Sequence, residues 1–180
     1  MRHLLPVLVL TLGGCSTQTV ALNERWRPLV EVVERPDLLI SAGVATTLGT
    51  RLYVADLRAF EASFPAGSVE REALLLHEQV HAQRQLGEGL GPWLARYLND
   101  ADFMWREEQE GWFLQLRHLQ ANGRPLAPVV IAELLAGYRN LTGPMVSAQE
   151  ALTWVQDVLA GRWSPSSVPA SVPPAPEEGL

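Results

Sequence analysis

His77, Glu78 and His81 stand within five residues, in the order His77-Glu78-Gln79-Val80-His81. On an α-helix, positions four apart lie on one face, one turn above the other. Both imidazoles can therefore reach a single Zn²⁺. A carboxylate beside the first histidine, here Glu78, then sits close enough to take a proton from a metal-bound water. The chemistry this spacing allows is hydrolysis by a metal-activated water.

A catalytic zinc takes three protein ligands and keeps one position open. No histidine follows at the short spacing that would complete a three-histidine motif, because Gln83, Arg84 and Gln85 stand there. The acidic run Glu107-Glu108-Gln109-Glu110 is the best source of a third ligand. It begins about twenty-six residues beyond His81, enough to leave one helix, turn through Gly87–Gly91 and return antiparallel beside it. Glu108 and Glu110 project about 200° apart on a helix, so only one of them reaches the metal. Glu107 and Glu110 share a face in the alternative register. A solvated acidic face paired with Arg106 is the blander reading of the same run.

These groups need elements to hold them. Ser68 suits an N-cap, with Glu70 and Glu72 favouring the helix dipole in the first turn. The metal helix is expected to run to about Leu86, stopped by Gly87 and Gly89. Pro92 is placed at the first position of the next helical stretch, Trp93 to Gln120, with a break near Asn99-Asp100 and a stop at Asn122-Gly123. Pro128 to Tyr138 reads as a helix, and Ser147-Ala148-Gln149-Glu150 as a capping box for a last helix ending at Gly161. Ahead of the metal helix, Thr46, Thr47, Tyr53 and Val54 favour strands around Gly49-Thr50, giving a hairpin of Ala45–Leu48 and Arg51–Val54. Leu29 to Ile40 fits either a short strand or a loose helix. The expected class is α+β, mostly α-helical, with one small β-hairpin.

The chain has 180 residues, is 47% hydrophobic and carries a net charge of −6, which suits one domain with a real core. The negative charge and the lack of a basic patch argue against nucleic acid as a partner. One cysteine excludes an intramolecular disulfide. Met1-Arg2-His3, the short apolar run Leu4 to Leu12 and the string Leu12-Gly13-Gly14-Cys15 give it a different meaning. That string resembles the lipobox of bacterial lipoproteins. The resemblance implies a signal peptide over residues 1–14, acyl chains on Cys15, a lipid anchor in the membrane and, with Ser16 following, the periplasmic face of an outer membrane. Residues 15–28 read as a tether, 29–163 as the folded domain, and 164–180, rich in Pro and Ser, as a disordered tail.

The pentapeptide and its surroundings resemble a family. Ala45-Thr46-Thr47-Leu48-Gly49-Thr50-Arg51-Leu52-Tyr53-Val54 is similar to the strand that precedes the metal helix in small gluzincin-like bacterial proteins. Leu75-Leu76-His77-Glu78-Gln79-Val80-His81-Ala82-Gln83-Arg84-Gln85 resembles their leucine-led metal helix. Glu108-Gln109-Glu110-Gly111-Trp112 resembles their E-x-E-A-[DY] segment, with Gly111 in place of alanine and Trp112 in place of Asp or Tyr. The match covers roughly residues 44 to 112. It implies a minimal zincin: a zincin-like metal helix, a second glutamate helix, Zn²⁺ held by His77, His81 and Glu108, and Glu78 as general base. A peptide or protein substrate would lie along the upstream edge strand. An oxyanion donor is expected from Tyr138, ahead of Arg139 and His118, because gluzincins often use a downstream Tyr or His. Asp100 or Asp102 would orient a histidine's second nitrogen. The alternative is a non-catalytic zinc-binding lipoprotein of the envelope.

Overall fold

The computed structural model describes residues 31–35 and 45–165. The signal segment, Cys15, the tether and residues 166–180 lie outside the described residues. Over the described residues the chain is mostly helical, with short strands in two small sheets. The expected α+β, mostly α class is what the chain adopts.

Three strands form the first sheet: β1 (Glu31–Glu34), β2 (Thr46–Leu48) and β3 (Arg51–Val54). The hairpin turns at Gly49, whose φ of 60° lies in the left-handed region that glycine tolerates. It pairs β2 with β3 antiparallel, Thr47 opposite Leu52. Of the stretch Leu29 to Ile40 only residues 31–35 are described, and there Glu31–Glu34 is a strand, β1, that pairs parallel to β3, Val32 opposite Leu52. β3 is thus central, and β2 is an edge. Alternate residues of β3, Leu52 and Val54, point inward onto Phe60 and Leu74.

Phe60 belongs to α1 (Leu57–Ser63), a helix the sequence reading passes over. Asp56 caps it by accepting from Ala59 N at 2.9 Å, and Glu34 of β1 accepts from Leu57 N at 2.9 Å.

The helix that carries His77, Glu78 and His81 is α2 (Val69–Glu88), with Ser68 accepting from Arg71 N at 3.1 Å. Gly87 stays inside it, and Gly89, at φ 87°, makes the turn. The next helix, α3 (Leu90–Asn99), begins at once, two residues before Pro92. Pro92 is still in the first turn, where a missing N–H leaves no helical bond unmade. Asp100 ends α3 and caps α4 (Ala101–Ala121), accepting from Phe103 N at 2.9 Å. α5 (Pro128–Ala136) stops before Tyr138, which lies in the loop leading to the small hairpin β4 (Arg139–Asn140) and β5 (Gly143–Pro144). α6 (Ala148–Leu159) starts with the expected capping box between Ser147 and Glu150.

α2 and α4 run antiparallel. Glu70 faces Arg124, Glu72 faces His118, His77 faces Gln115, and Arg84 faces Glu107. The far side of α4 carries the main core with α5 and α6: Phe113, Leu116, Leu135, Val155 and Val158 are buried there. α4 is therefore held from behind by apolar packing while its front presents polar groups to α2.

Candidate metal centre

Three side chains converge between α2 and α4. His77 Nε2 lies 3.1 Å from His81 Nε2 and 3.4 Å from Glu108 Oε2, and His81 Nε2 lies 3.4 Å from Glu108 Oε1. All three residues are buried. Two ligand atoms about 2.1 Å from one ion, at the tetrahedral angle, stand roughly 3.4 Å apart. The two histidine nitrogens and the two Glu108 oxygens they face thus stand at separations of the size that ligands of one ion take. Among the described residues Glu108 Oε2 has no hydrogen-bond partner, and it sits in the interior. Buried carboxylate oxygens are rarely left so without an ion or a donor. His77, His81 and Glu108 could hold a metal.

The acidic run is divided by face, and the structure separates the three glutamates the spacing leaves open. Glu108 faces the histidines. Glu110 pairs with Arg84 of α2. Glu107 is buried and accepts from Arg84 Nη1 and from Trp93 Nε1, each at 3.1 Å. Its Oε2 also lies 4.0 Å from His81 Nδ1. At that distance it acts on the ring through charge rather than a hydrogen bond.

Charge in this buried setting shapes the titrations. Burial works against charging His81, but the carboxylates of Glu107, Glu108 and Glu78 outweigh it, and its pKa is raised to about 10. Burial works against charging Glu108 as well, yet the two imidazoles hold its carboxyl well below the usual range.

The remaining walls are aromatic. Trp93 and Tyr97, one turn apart on α3, stack at 4.7 Å and 19°. Tyr97 donates its hydroxyl to Glu108 Oε1 at 2.5 Å. Burial, then the Glu108 charge, pushes this phenol well above its ordinary pKa, so it stays a donor. Tyr138 is half-buried and lines the same cleft as His77, Glu78, His81 and Glu108. Its phenol is also pushed up, by burial and by Glu108 and Glu78. The loop carrying it is tied to α3: Leu141 N donates to Leu98 O at 2.9 Å, and Asn140 Nδ2 to Tyr97 O at 3.2 Å.

β2 closes the cleft with Ala45, Thr46, Thr47 and Leu48. Its position is set by Gln85, one turn beyond His81. The Gln85 side chain donates to Thr47 O at 3.0 Å and accepts from Gly49 N at 2.6 Å. The same helix face that carries the histidines thus fixes the strand beside them.

Other expectations come apart here. Asp100 is the cap of α4 and Asp102 is exposed, so neither orients a histidine. His77 Nδ1 meets Gln115 Oε1 instead, at 2.9 Å. His118 pairs at 3.5 Å with Glu72, away from the cleft, and burial lowers its pKa despite that partner. Arg139 is exposed in β4 and does not line the cleft. Trp112 packs edge-on against His77, ring centroids 5.4 Å apart. Tyr97 and Gln115 carry no motif in the sequence, and Gln85 appears there only as part of the string around the histidines. Gln85 alone has a local signal, since it continues the 77, 81, 85 stripe.

No protein-family model, no curated protein and no solved structure matches this chain.

Proposed function

We propose that the protein is a zinc-dependent metallopeptidase that hydrolyses a peptide or related amide bond. The observation carrying this reading is the convergence of His77 Nε2, His81 Nε2 and the Glu108 carboxylate, 3.1–3.4 Å apart, with Glu78 lining the same cleft. His77, His81 and Glu108 would hold the zinc. Bound there, the ion would supply Lewis acidity and a water acidified to near neutral pH. Glu78, whose carboxylate lines the cleft, would serve as general base, accepting a proton from the attacking water and returning it to the departing amine. Tyr138, a phenol kept protonated in the cleft wall, donates to the oxygen that gains charge. Tyr97 holds one oxygen of Glu108 and fixes the carboxylate's orientation. The edge of β2 offers backbone groups to an extended peptide.

The N-terminal string ending in Cys15 supports a lipid anchor at the periplasmic face of an outer membrane. Labelling with a radioactive fatty acid should mark the wild type and not Cys15→Ala.

The competing reading is a zinc-binding envelope lipoprotein without catalysis. Glu78→Gln separates the two. Zinc binding should persist in the variant, and hydrolysis of an unfolded protein or peptide library should fall by roughly 10²–10⁴-fold. Equal hydrolysis by wild type and variant would remove Glu78 from the mechanism. Zinc binding without hydrolysis by either would favour the non-catalytic reading.

A further inference from the structure

One stripe of α4 carries Glu108, Gly111 and Gln115, at i, i+3 and i+7 on the helix. All three face His77. Gln115 is buried, and its Oε1 lies 2.9 Å from His77 Nδ1. With the amide oxygen as acceptor, this pairing places the proton on Nδ1 and leaves Nε2 its lone pair. Nε2 is the atom that faces His81 and Glu108.

Gly111 supplies the floor. A Cβ built there would lie 2.6 Å from His77 Cδ2, 2.8 Å from Nε2 and 2.9 Å from Cγ. An imidazole ring is rigid, so it cannot bend away at one atom; the whole ring, Nε2 included, would move. A glycine inside a helix costs roughly 0.5–1 kcal/mol relative to alanine. The ring resting on its backbone gives that cost a reason. Trp112 then closes one side of the ring, edge-on at 80°.

We propose that Gly111 and Gln115 are positioning residues for His77: they set its ring plane and its tautomer, so that Nε2 is presented to the metal site. The role is one a carboxylate commonly fills beside a metal-bound histidine, and here a neutral amide fills it. The inference rests on His77 being a metal ligand, and its test is chosen to fail separately from that reading.

Two measurements on the full chain decide it. The first is zinc affinity by competition with a chromophoric chelator, for wild type, Gln115→Leu, Gln115→Glu and Gly111→Ala. Gln115→Leu should bind zinc 10–100-fold more weakly. Gln115→Glu, which also accepts from Nδ1–H, should restore affinity to within a few-fold of wild type. Gly111→Ala should lose at least as much as Gln115→Leu. The second is the tautomer of His77 in chelated protein, from long-range ¹H–¹⁵N correlations of the ring. Wild type should show the proton on Nδ1, and Gln115→Leu should lose that preference. Circular dichroism and thermal unfolding check each variant's fold; should Gly111→Ala not fold, the Gln115 pair decides. Equal zinc affinity for wild type and Gln115→Leu, or a wild-type proton fixed on Nε2, overturns the proposal. If wild type takes up no zinc, the metal reading fails, while the tautomer still decides this one.

Discussion

His81 is the residue at which a proton would compete with a metal for this site. In the chelated protein its imidazole shares a buried space with Glu107, Glu108 and Glu78, and its pKa is raised to about 10 after burial is overcome. A folded pKa above the ordinary 6.5 means that the folded state holds a proton the unfolded chain gives up. That stabilisation is complete below about pH 6.5 and is lost as pH rises through about 10. The unfolding midpoint of chelated protein should therefore fall as pH is raised across that window, and the fall should be smaller in His81→Gln. Midpoints that rise or stay flat over the same window for wild type would contradict it. Tyr97 makes a second prediction at this scale. Tyr97→Phe removes the 2.5 Å hydrogen bond to Glu108 and should weaken zinc binding about tenfold while leaving the fold intact. The histidines, Glu78 and Glu108 are legible in the sequence because helical spacing ties them to each other or to a recognisable string. Tyr97 and Gln115 are not, because each reaches its partner across elements, eleven and thirty-eight positions away.

At the scale of elements, Gln85 joins α2 to the strand beside it. Both ends of its amide are used, by Thr47 O and Gly49 N, and the side chain is 2% exposed. Replacing it by Leu keeps the bulk but strands a buried carbonyl and N–H, which should cost about 1–3 kcal/mol in chemical denaturation. It should also speed amide exchange at Gly49. No loss of stability would mean that β2 is held by other contacts. The hairpin and the capped helices were readable because turn and cap residues are local signals: Gly49, Ser68 and the Ser147–Glu150 box are each found where expected. α1 was missed because it is only two turns long, with Phe60 as its one buried residue. β1 was ambiguous because its partner β3 is some twenty residues away, and nothing in Glu31–Glu34 itself names that partner.

For the molecule as a whole, the architecture separates support from site. Leu116, Val155 and Val158 form an apolar core behind α4, while His77, His81, Glu107 and Glu108 crowd the polar seam in front. Leu116, 1% exposed, should cost about 2–5 kcal/mol when cut to Ala, with zinc affinity per folded molecule preserved. The seam behaves differently. Metal bound only by the folded state should stabilise it by about 2.7 kcal/mol at a free concentration one hundred times Kd. A zinc-soaked crystal structure with anomalous diffraction at the zinc edge tests this centre directly. One strong peak is expected among His77 Nε2, His81 Nε2 and a Glu108 oxygen, about 2.0–2.2 Å from each. Zinc bound elsewhere on the chain, held through Glu107 or Glu110 in place of Glu108, or absent from protein loaded with excess Zn²⁺, would contradict it.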